Sequence, residues 1–257
     1  MSISVIVTGV AGRMGSTVAR LVGEAGDLTL AAAAERPGVD LSRYSCLTGD
    51  RIEELLPQCP KAVVVDFTGP EASLAVAEAA ARHGNPVVIG TTGFSPEQRA
   101  KLEEYARIAP LFWSPNMSVG VNVLLKALPE LVCLLGEAYD IDIVELHHNR
   151  KKDAPSGTAL RLAECVAEAK GWALAETGCY HREGITGERP KREIGVQTVR
   201  GGDIVGVHTV YFMGPGERIE VTHQAHSRET FAQGALRAAR WMAGAKPGKL
   251  YTMLDVL

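Results

Sequence analysis

"ISVIVTGVAGRMG", residues 3–15, joins an uncharged β-branched run to three glycines at positions 9, 12 and 15. Such a run fits a strand covered on both faces. Glycine lets the chain turn tightly, and lets backbone N–H groups approach a pyrophosphate at a helix N-terminus. The spacing is G-x-x-G-x-x-G rather than the usual G-x-G-x-x-G, with the same mechanics. A helix is expected next, because Met14, Val18, Leu21 and Val22 recur at helical spacing. A glycine triplet alone fits any tight turn, so its surroundings decide its meaning.

Those surroundings favour a dinucleotide. "LTLAAAAE", residues 28–35, reads as a second strand, and Glu35 ends it twenty residues past Gly15. An acid there holds an adenosine ribose. Arg36 follows it. The carboxylate repels a 2′-phosphate, whereas the arginine can pair with one. The Glu35–Arg36 pair therefore points to NADH and NADPH alike, against the plainer reading of a solvated surface pair. Arg13 is a second candidate for phosphate contact.

The alternation continues through "KAVVVDFT" (61–68), the helix 70–83 that opens on proline and ends before Gly84, "NPVVIGTTG" (85–93), and a helix capped by Ser95 with Pro96 at its first position. "PLFWSPN" (110–116) adds a further strand and turn. Repeated β-α-β units with buried strands predict an open parallel sheet with helices on both faces. Ligands bind such sheets outside the carboxyl ends of the strands. Those ends are Gly9-Val10-Ala11-Gly12, Glu35-Arg36, Asp66-Phe67-Thr68, Gly90-Thr91-Thr92 and Ser114-Pro115-Asn116, and small and polar residues occur at all five. Asp66 is expected to brace the loop after its strand.

After Asn116 the pattern changes. Residues 121–138 form a long apolar helix, kinked or broken near Pro129. "YDIDIVELHHN" (139–149) reads as a strand whose acids alternate against Ile141, Ile143 and Leu146 and lie on an exposed face. An amphipathic helix spans 159–172, and residues 193–227 read as strands joined by a Gly201-Gly202 hairpin and a Gly214-Pro215-Gly216 turn. The expected architecture is α/β: a Rossmann-type parallel-sheet nucleotide domain (1–118) plus a mixed-sheet α+β domain (119–227) for substrate and oligomerisation. The closing helix within 228–257 is expected to pack back on the first.

"ELHHNRKKDAPSGTA", residues 145–159, gathers two histidines, three cations and a helix start. Ser156 or Thr158 can cap that helix, whose free N–H groups favour an anion. Lys151 adds a full positive charge. Phosphates are already provided for at Gly9–Gly15, so a substrate carboxylate suits this second anion site. His147 and His148 point to opposite faces if the strand persists, and one suffices as a proton donor. Nearby cations lower such a histidine's pKa, and a bound dianion raises it. The plain alternative is two surface histidines in a basic loop. His208, His223 and His226 read as structural.

The formal net charge of −3 argues against a general nucleic-acid binder. The five cysteines, at 46, 59, 133, 165 and 179, form no C-x-x-C pair and read as reduced thiols. No histidine spacing supports a metal. No apolar run is expected to reach the ~18 residues of a membrane span, and the amino terminus shows no basic n-region and no cleavage-like site. A cytoplasmic protein is expected.

The chain resembles the 4-hydroxy-tetrahydrodipicolinate reductase (dihydrodipicolinate reductase) family over nearly its whole length. The resemblance rests on "GVAGRMG", "DFTGPE", "VIGTTGF", "NMSVGVN", "ELHHNRKKDAPSGTA", "REGITGER", "TVRGGDIVGVHTVYF" and "THQAHSRETFAQGA". It implies that Gly9, Val10, Ala11, Gly12, Arg13 and Met14 line the pyrophosphate, with Glu35 and Arg36 at the ribose. Gly90, Thr91, Thr92, Ser114, Pro115, Asn116 and Met117 would border the nicotinamide half. His147 would be the general acid, Lys151 and His148 would hold a substrate carboxylate, and Gly157 and Thr158 would bind a carboxylate through the helix start. It further implies hydride transfer from NADH or NADPH to C4 of a cyclic dicarboxylate, protonation at C3, a homotetramer and a hinge between domains. One departure is Asp142, where the family commonly has Glu; a looser bracing contact is expected there. Two other readings stay open from the residues alone: a nicotinamide dehydrogenase for another small dicarboxylate, and a nucleotide-sensing module without catalysis.

Overall fold

The uncharged run after Ser2 folds as β1 (Ile3–Thr8), and the glycine triplet turns it into α1 (Arg13–Glu24). The structure is a computed structural model that describes residues 2–257; Met1, where the first expected domain begins, lies outside the described residues. The chain continues through β2 (Leu28–Ala34), β3 (Leu47–Gly49), α2 (Ile52–Leu55), β4 (Val63–Asp66), α3 (Pro70–His83), β5 (Val87–Ile89), α4 (Pro96–Ala106) and β6 (Leu111–Trp113). Next come α5 (Val119–Leu135), β7 (Asp140–His147), α6 (Gly157–Ala169), α7 (Leu174–Thr177), β8 (Gly178–Cys179), β9 (Ile194–Arg200), β10 (Gly206–Gly214) and β11 (Glu217–Ala225). The chain closes with α8 (Glu229–Met242), β12 (Leu250–Tyr251) and α9 (Met253–Val256). It divides into two compact units, Met1–Val119 with Glu229–Leu257, and Gly120–Arg228.

The first unit holds a seven-stranded sheet in the order β12-β6-β5-β4-β1-β2-β3. All its pairs are parallel. Strand order reverses between β1 and β4, the switch point at which doubly wound sheets bind ligands. Val5, Val7, Val63, Val65 and Phe112 face one core, shared with α1 and α8. Ile6, Val64, Val87 and Leu111 face the other, shared with α2, α3 and α4. Each fully buried Val, Ile or Leu contributes about 1.5–3 kcal/mol of transfer free energy. Strands loaded on both faces therefore need a helical layer on each. The expected caps are present: Ser95 Oγ accepts the Gln98 N–H at 3.2 Å, Gln98 reaches back to the Ser95 N–H, and Gly84 ends α3 at φ 71°.

The second unit holds a five-stranded mixed sheet, β11-β10-β7-β9-β8. β10 runs antiparallel to β7 and β11, while β9 is parallel to β7 and β8. The expected Gly201-Gly202 hairpin does not form: β9 and β10 lie on opposite sides of β7, so the segment between them crosses over that strand. The Pro215-Gly216 turn does close a hairpin, with Gly214 paired to Glu217 and Gly216 at φ 82°. Ile141, Ile143, Val196, Val210 and Phe212 pack against Leu128 and Val132 of α5 and Leu162 and Val166 of α6.

α5 runs unbroken through Pro129. The helical segment Val119–Ala138 is 20 residues long and holds an 18-residue stretch of mean hydropathy 1.7, enough by length and composition alone to cross a membrane. This corrects the expectation that no segment reaches that length. Lys126 and Glu130 interrupt the apolar run, but the average over that 18-residue stretch stays high.

Candidate active site

In the first unit the glycine loop is shaped by contact. Gly9 takes φ 65°, its carbonyl accepts the Gly12 N–H at 2.9 Å, and a Cβ on Gly15 would stand 2.1 Å from Gly9 O. Only glycine lets α1 start that close to the loop. Glu35, delivered by the end of β2, accepts the Ala11 N–H at 2.8 Å and the Arg36 N–H at 3.1 Å. Loop and acid, distant in sequence, thus meet. Gly9, Ala11, Gly12, Glu35, Arg36 and Thr68 are among the lining of a groove of about 730 Å³. That space, and the positions where a side chain would collide, fit a dinucleotide. Arg13 is exposed at the start of α1. Val10 is fully buried and Met14 packs on the core, so both turn their side chains inward.

Asp66 is fully buried at the end of β4. It accepts hydroxyl hydrogen bonds from Thr8 (2.5 Å), Thr68 (2.8 Å), Thr91 (3.2 Å) and Ser73. It therefore ties the ends of β1, β4 and β5 together, more than the bracing of one loop expected of it. Thr91 is committed to this cluster, and its carbonyl accepts the Trp113 indole N–H at 2.9 Å. Gly90 is half-buried, and Thr92 and Pro115 are exposed. Ser114 Oγ donates to Asn116 O at 2.8 Å, Asn116 Oδ1 accepts the Ser118 N–H at 2.9 Å, and Met117 is buried in the core. Arg43 and Tyr44, absent from the sequence reading, both donate to Val10 O, at 3.3 and 3.1 Å, and support the loop from beneath.

In the second unit β7 carries the site. Its inward residues are Ile141, Ile143, Glu145 and His147, and Leu146 faces the other way. This corrects the expectation that put Glu145 with exposed acids and Leu146 in the core. Glu145 is fully buried. Arg200 on β9 grips both its oxygens at 2.8 Å, the Ser156 N–H donates at 2.9 Å, and Thr198 Oγ1 at 3.3 Å. His147 Nδ1 lies 2.5 Å from Glu145 Oε2. Burial pushes the Glu145 carboxyl up, but the Arg200 and His147 hydrogen bonds and the Ser156 N–H outweigh it and hold it at about 2. Burial pushes the His147 imidazole down; Glu145 pulls it back, Lys151 and Arg200 push it further, and the net shift is downward.

The loop after His147 returns the start of α6 to β7. Ser156 caps α6, its Oγ accepting the Ala159 N–H at 3.1 Å. Of the two candidate caps it is Ser156 that does so. Gly157, exposed, and Thr158 form the first turn, two residues ahead of the expected start at Ala159. Lys151 Nζ pairs with Asp153 at 2.9 Å. His148 is half-buried and its N–H donates to Ile204 O at 2.8 Å.

His208, expected only to fill the sheet, sits beside His147 with ring centroids 5.1 Å apart, and its Nε2 shares a 3.0 Å hydrogen bond with Ser156 Oγ. Burial, then the His147 charge, pushes His208 down to about 4. It was missed because nothing in the sequence says that β10 lies beside β7, with His208 opposite Glu145. Asp142 is not loosely held: Arg182 donates to it at 2.7 and 3.2 Å, Arg189 at 3.1 Å and the Gly195 N–H at 3.2 Å.

The second unit thus brings together a buried histidine, a lysine and a helix N-terminus, an arrangement whose chemistry suits an acid step on an anionic substrate. The first offers a groove with the features a dinucleotide needs.

The family models and the relatives similar over the whole chain are reductases. Family models described as dihydrodipicolinate reductase, N-terminus and C-terminus, match residues 3–117 and 120–257. The 4-hydroxy-tetrahydrodipicolinate reductase of Nitratidesulfovibrio vulgaris (strain DP4) is 68% identical over 258 residues, covering 100% of both chains. That of Oleidesulfovibrio alaskensis is 64% identical over 259 residues, again covering 100% of both. The dipicolinate-bound dihydrodipicolinate reductase from Paenisporosarcina sp. TG-14 shares the fold at TM-score 0.81 and 24% identity, covering 100% of both chains. With both halves matched in order and relatives of this identity spanning its full length, the chain belongs to the dihydrodipicolinate reductase family.

Proposed function

We propose that the first unit of this reductase binds the reduced dinucleotide, the second binds the cyclic dicarboxylate, and His147 is the general acid. As a family member the protein is an NAD(P)H-dependent oxidoreductase of lysine and diaminopimelate biosynthesis, forming tetrahydrodipicolinate. The observation that carries the residue assignment is His147, buried and held at Nδ1 by Glu145, beside the start of α6.

When bound, the reduced nicotinamide supplies hydride to C4 of the substrate ring. The loop Gly9–Met14 cradles pyrophosphate through backbone N–H groups, with Arg13 adding charge. Glu35 accepts from the ribose, and Arg36 pairs with a 2′-phosphate, so both NADH and NADPH are used. Gly90–Thr92 and Ser114–Met117, at neighbouring strand ends, border the nicotinamide half. Lys151 and His148 hold one substrate carboxylate, and Gly157 and Thr158 bind carboxylate through their N–H groups. Burial pushes the His147 pKa down in the free protein, which favours the neutral imidazole. A bound dianion restores the proton, which His147 then delivers to C3. The alternation of β7, β9 and β10 also leaves Leu146, Val199 and Val207 in one row on the face away from Glu145. That apolar row supports assembly through the second unit's sheet, and we assign the protein as a cytoplasmic homotetramer.

His147→Ala tests the assignment. Turnover should fall by roughly 10²-fold or more, the size of a general-acid contribution, with NADH binding by fluorescence titration unchanged. Unaltered turnover would remove His147 from the chemistry.

A further inference from the structure

We infer that Glu145 and Arg200 are a positioning pair, fixing His147 so that its Nε2 nitrogen faces the substrate and coupling it to the loop that carries Lys151. This rests on His147 being the proton donor.

Two residues apart on one strand, Glu145 and His147 share a face. The Glu145 carboxylate has no freedom to turn. Oε1 accepts from Arg200, the Ser156 N–H and Thr198 Oγ1; Oε2 accepts from Arg200 and meets His147 Nδ1. A planar guanidinium fork sets the plane of a carboxylate as well as its charge. Oε2 therefore presents one fixed direction to Nδ1, which keeps that nitrogen protonated and leaves Nε2 on the far side of the ring as the nitrogen that exchanges a proton. The neighbourhood keeps Nε2 clear: at Gly206 a Cβ would stand 3.0 Å from it. His208 flanks the ring, but its own Nε2 is engaged by Ser156 and does not compete for Glu145.

The same arginine reaches the cation. Arg200 also donates to Asp153 O at 2.7 Å, and the Asp153 carboxylate holds Lys151 at 2.9 Å. One line of hydrogen bonds therefore runs His147–Glu145–Arg200–Asp153–Lys151. It spans β7, β9 and the loop, and places the proton donor and the carboxylate-binding cation on a common brace.

The groups that face His147 are Glu145 on its own strand, Arg200 from β9, His208 from β10 and Lys151 from the loop. Of these only Glu145 and its hydrogen bond favour the proton on His147. In the Glu145→Gln enzyme, assayed with NADH and the dicarboxylate, kcat should fall about 10-fold or more, a part of the general-acid effect. The limb on which His147 loses its proton should move to lower pH, with NADH affinity unchanged. Arg200→Lys keeps the charge but loses the fork; its kcat should fall less, and its KM for the dicarboxylate should rise through Lys151. A merely structural role would lower the melting temperature and leave the pH limb in place, which overturns the inference, as does wild-type kcat in Glu145→Gln. If that variant fails to fold, wild-type kcat and KM in Arg200→Lys overturn it instead. Retained turnover in His147→Ala would sink the underlying assignment; its loss beside an unmoved Glu145→Gln limb would sink the pair alone.

Discussion

Glu35 and Arg36 are adjacent, yet the fold uses them differently. The Glu35 carboxylate folds back on the Ala11 N–H of the glycine loop, while Arg36 contributes to the wall of the groove. A charge-assisted hydrogen bond is worth about 1.5–3 kcal/mol, so an arginine contact to a 2′-phosphate amounts to roughly 10-fold or more in affinity. Arg36→Ala should therefore raise the KM for NADPH by about that factor and the KM for NADH much less; steady-state kinetics with each cofactor decide it, and equal effects would refute the role. These residues were legible in the sequence because spacing from a glycine loop is local arithmetic. His147 and Lys151 were legible too, from chemistry concentrated in one segment. Glu145 was not, although parity could have found it. Asp140 and Asp142 share one face of β7, and Glu145 falls on the other with Ile141 and Ile143. Grouping it with the acids put chemistry ahead of phase.

At the scale of elements, neighbouring strands set out one row of side chains, Thr198, Glu145, His208 and His223, across β9, β7, β10 and β11. Burying ionisable groups in such a row makes the second unit sensitive to acid. His208 is held at about 4, well below the ordinary value of 6.5. The unfolded chain takes up a proton at that site before the folded one does, so stability is fully present above pH 6.5 and declines as pH falls towards 4, by on the order of 3 kcal/mol. Glu145, depressed to about 2, adds a second loss below its ordinary value of 4.5. Melting curves from pH 7.5 to 4 should show a falling melting temperature for the wild type and a shallower fall for His208→Gln. Parallel curves would mean that His208 does not titrate with folding. Strand pairing of this kind was hidden in the sequence. Gly201-Gly202 carries a hairpin signal, but that signal is local. Placing β7 between β9 and β10 lets their apolar residues share one core with α5 and α6, and this non-local gain decides the partner. The capped helices, by contrast, were read correctly because caps are local.

For the whole molecule, the parallel sheet of the first unit was plain from its alternating runs, since each strand must be covered on both faces. The mixed sheet of the second was legible in kind but not in order. This chain, as a member of its family, reduces the cyclic dicarboxylate with NADH or NADPH. The direct measurement follows nicotinamide absorbance with each cofactor while the preceding synthase of the pathway generates the substrate in place. Rapid loss of absorbance with either cofactor, dependent on that substrate, is the predicted result. No loss with either, while fluorescence still reports cofactor binding, would contradict it and favour a different dicarboxylate or a nucleotide sensor.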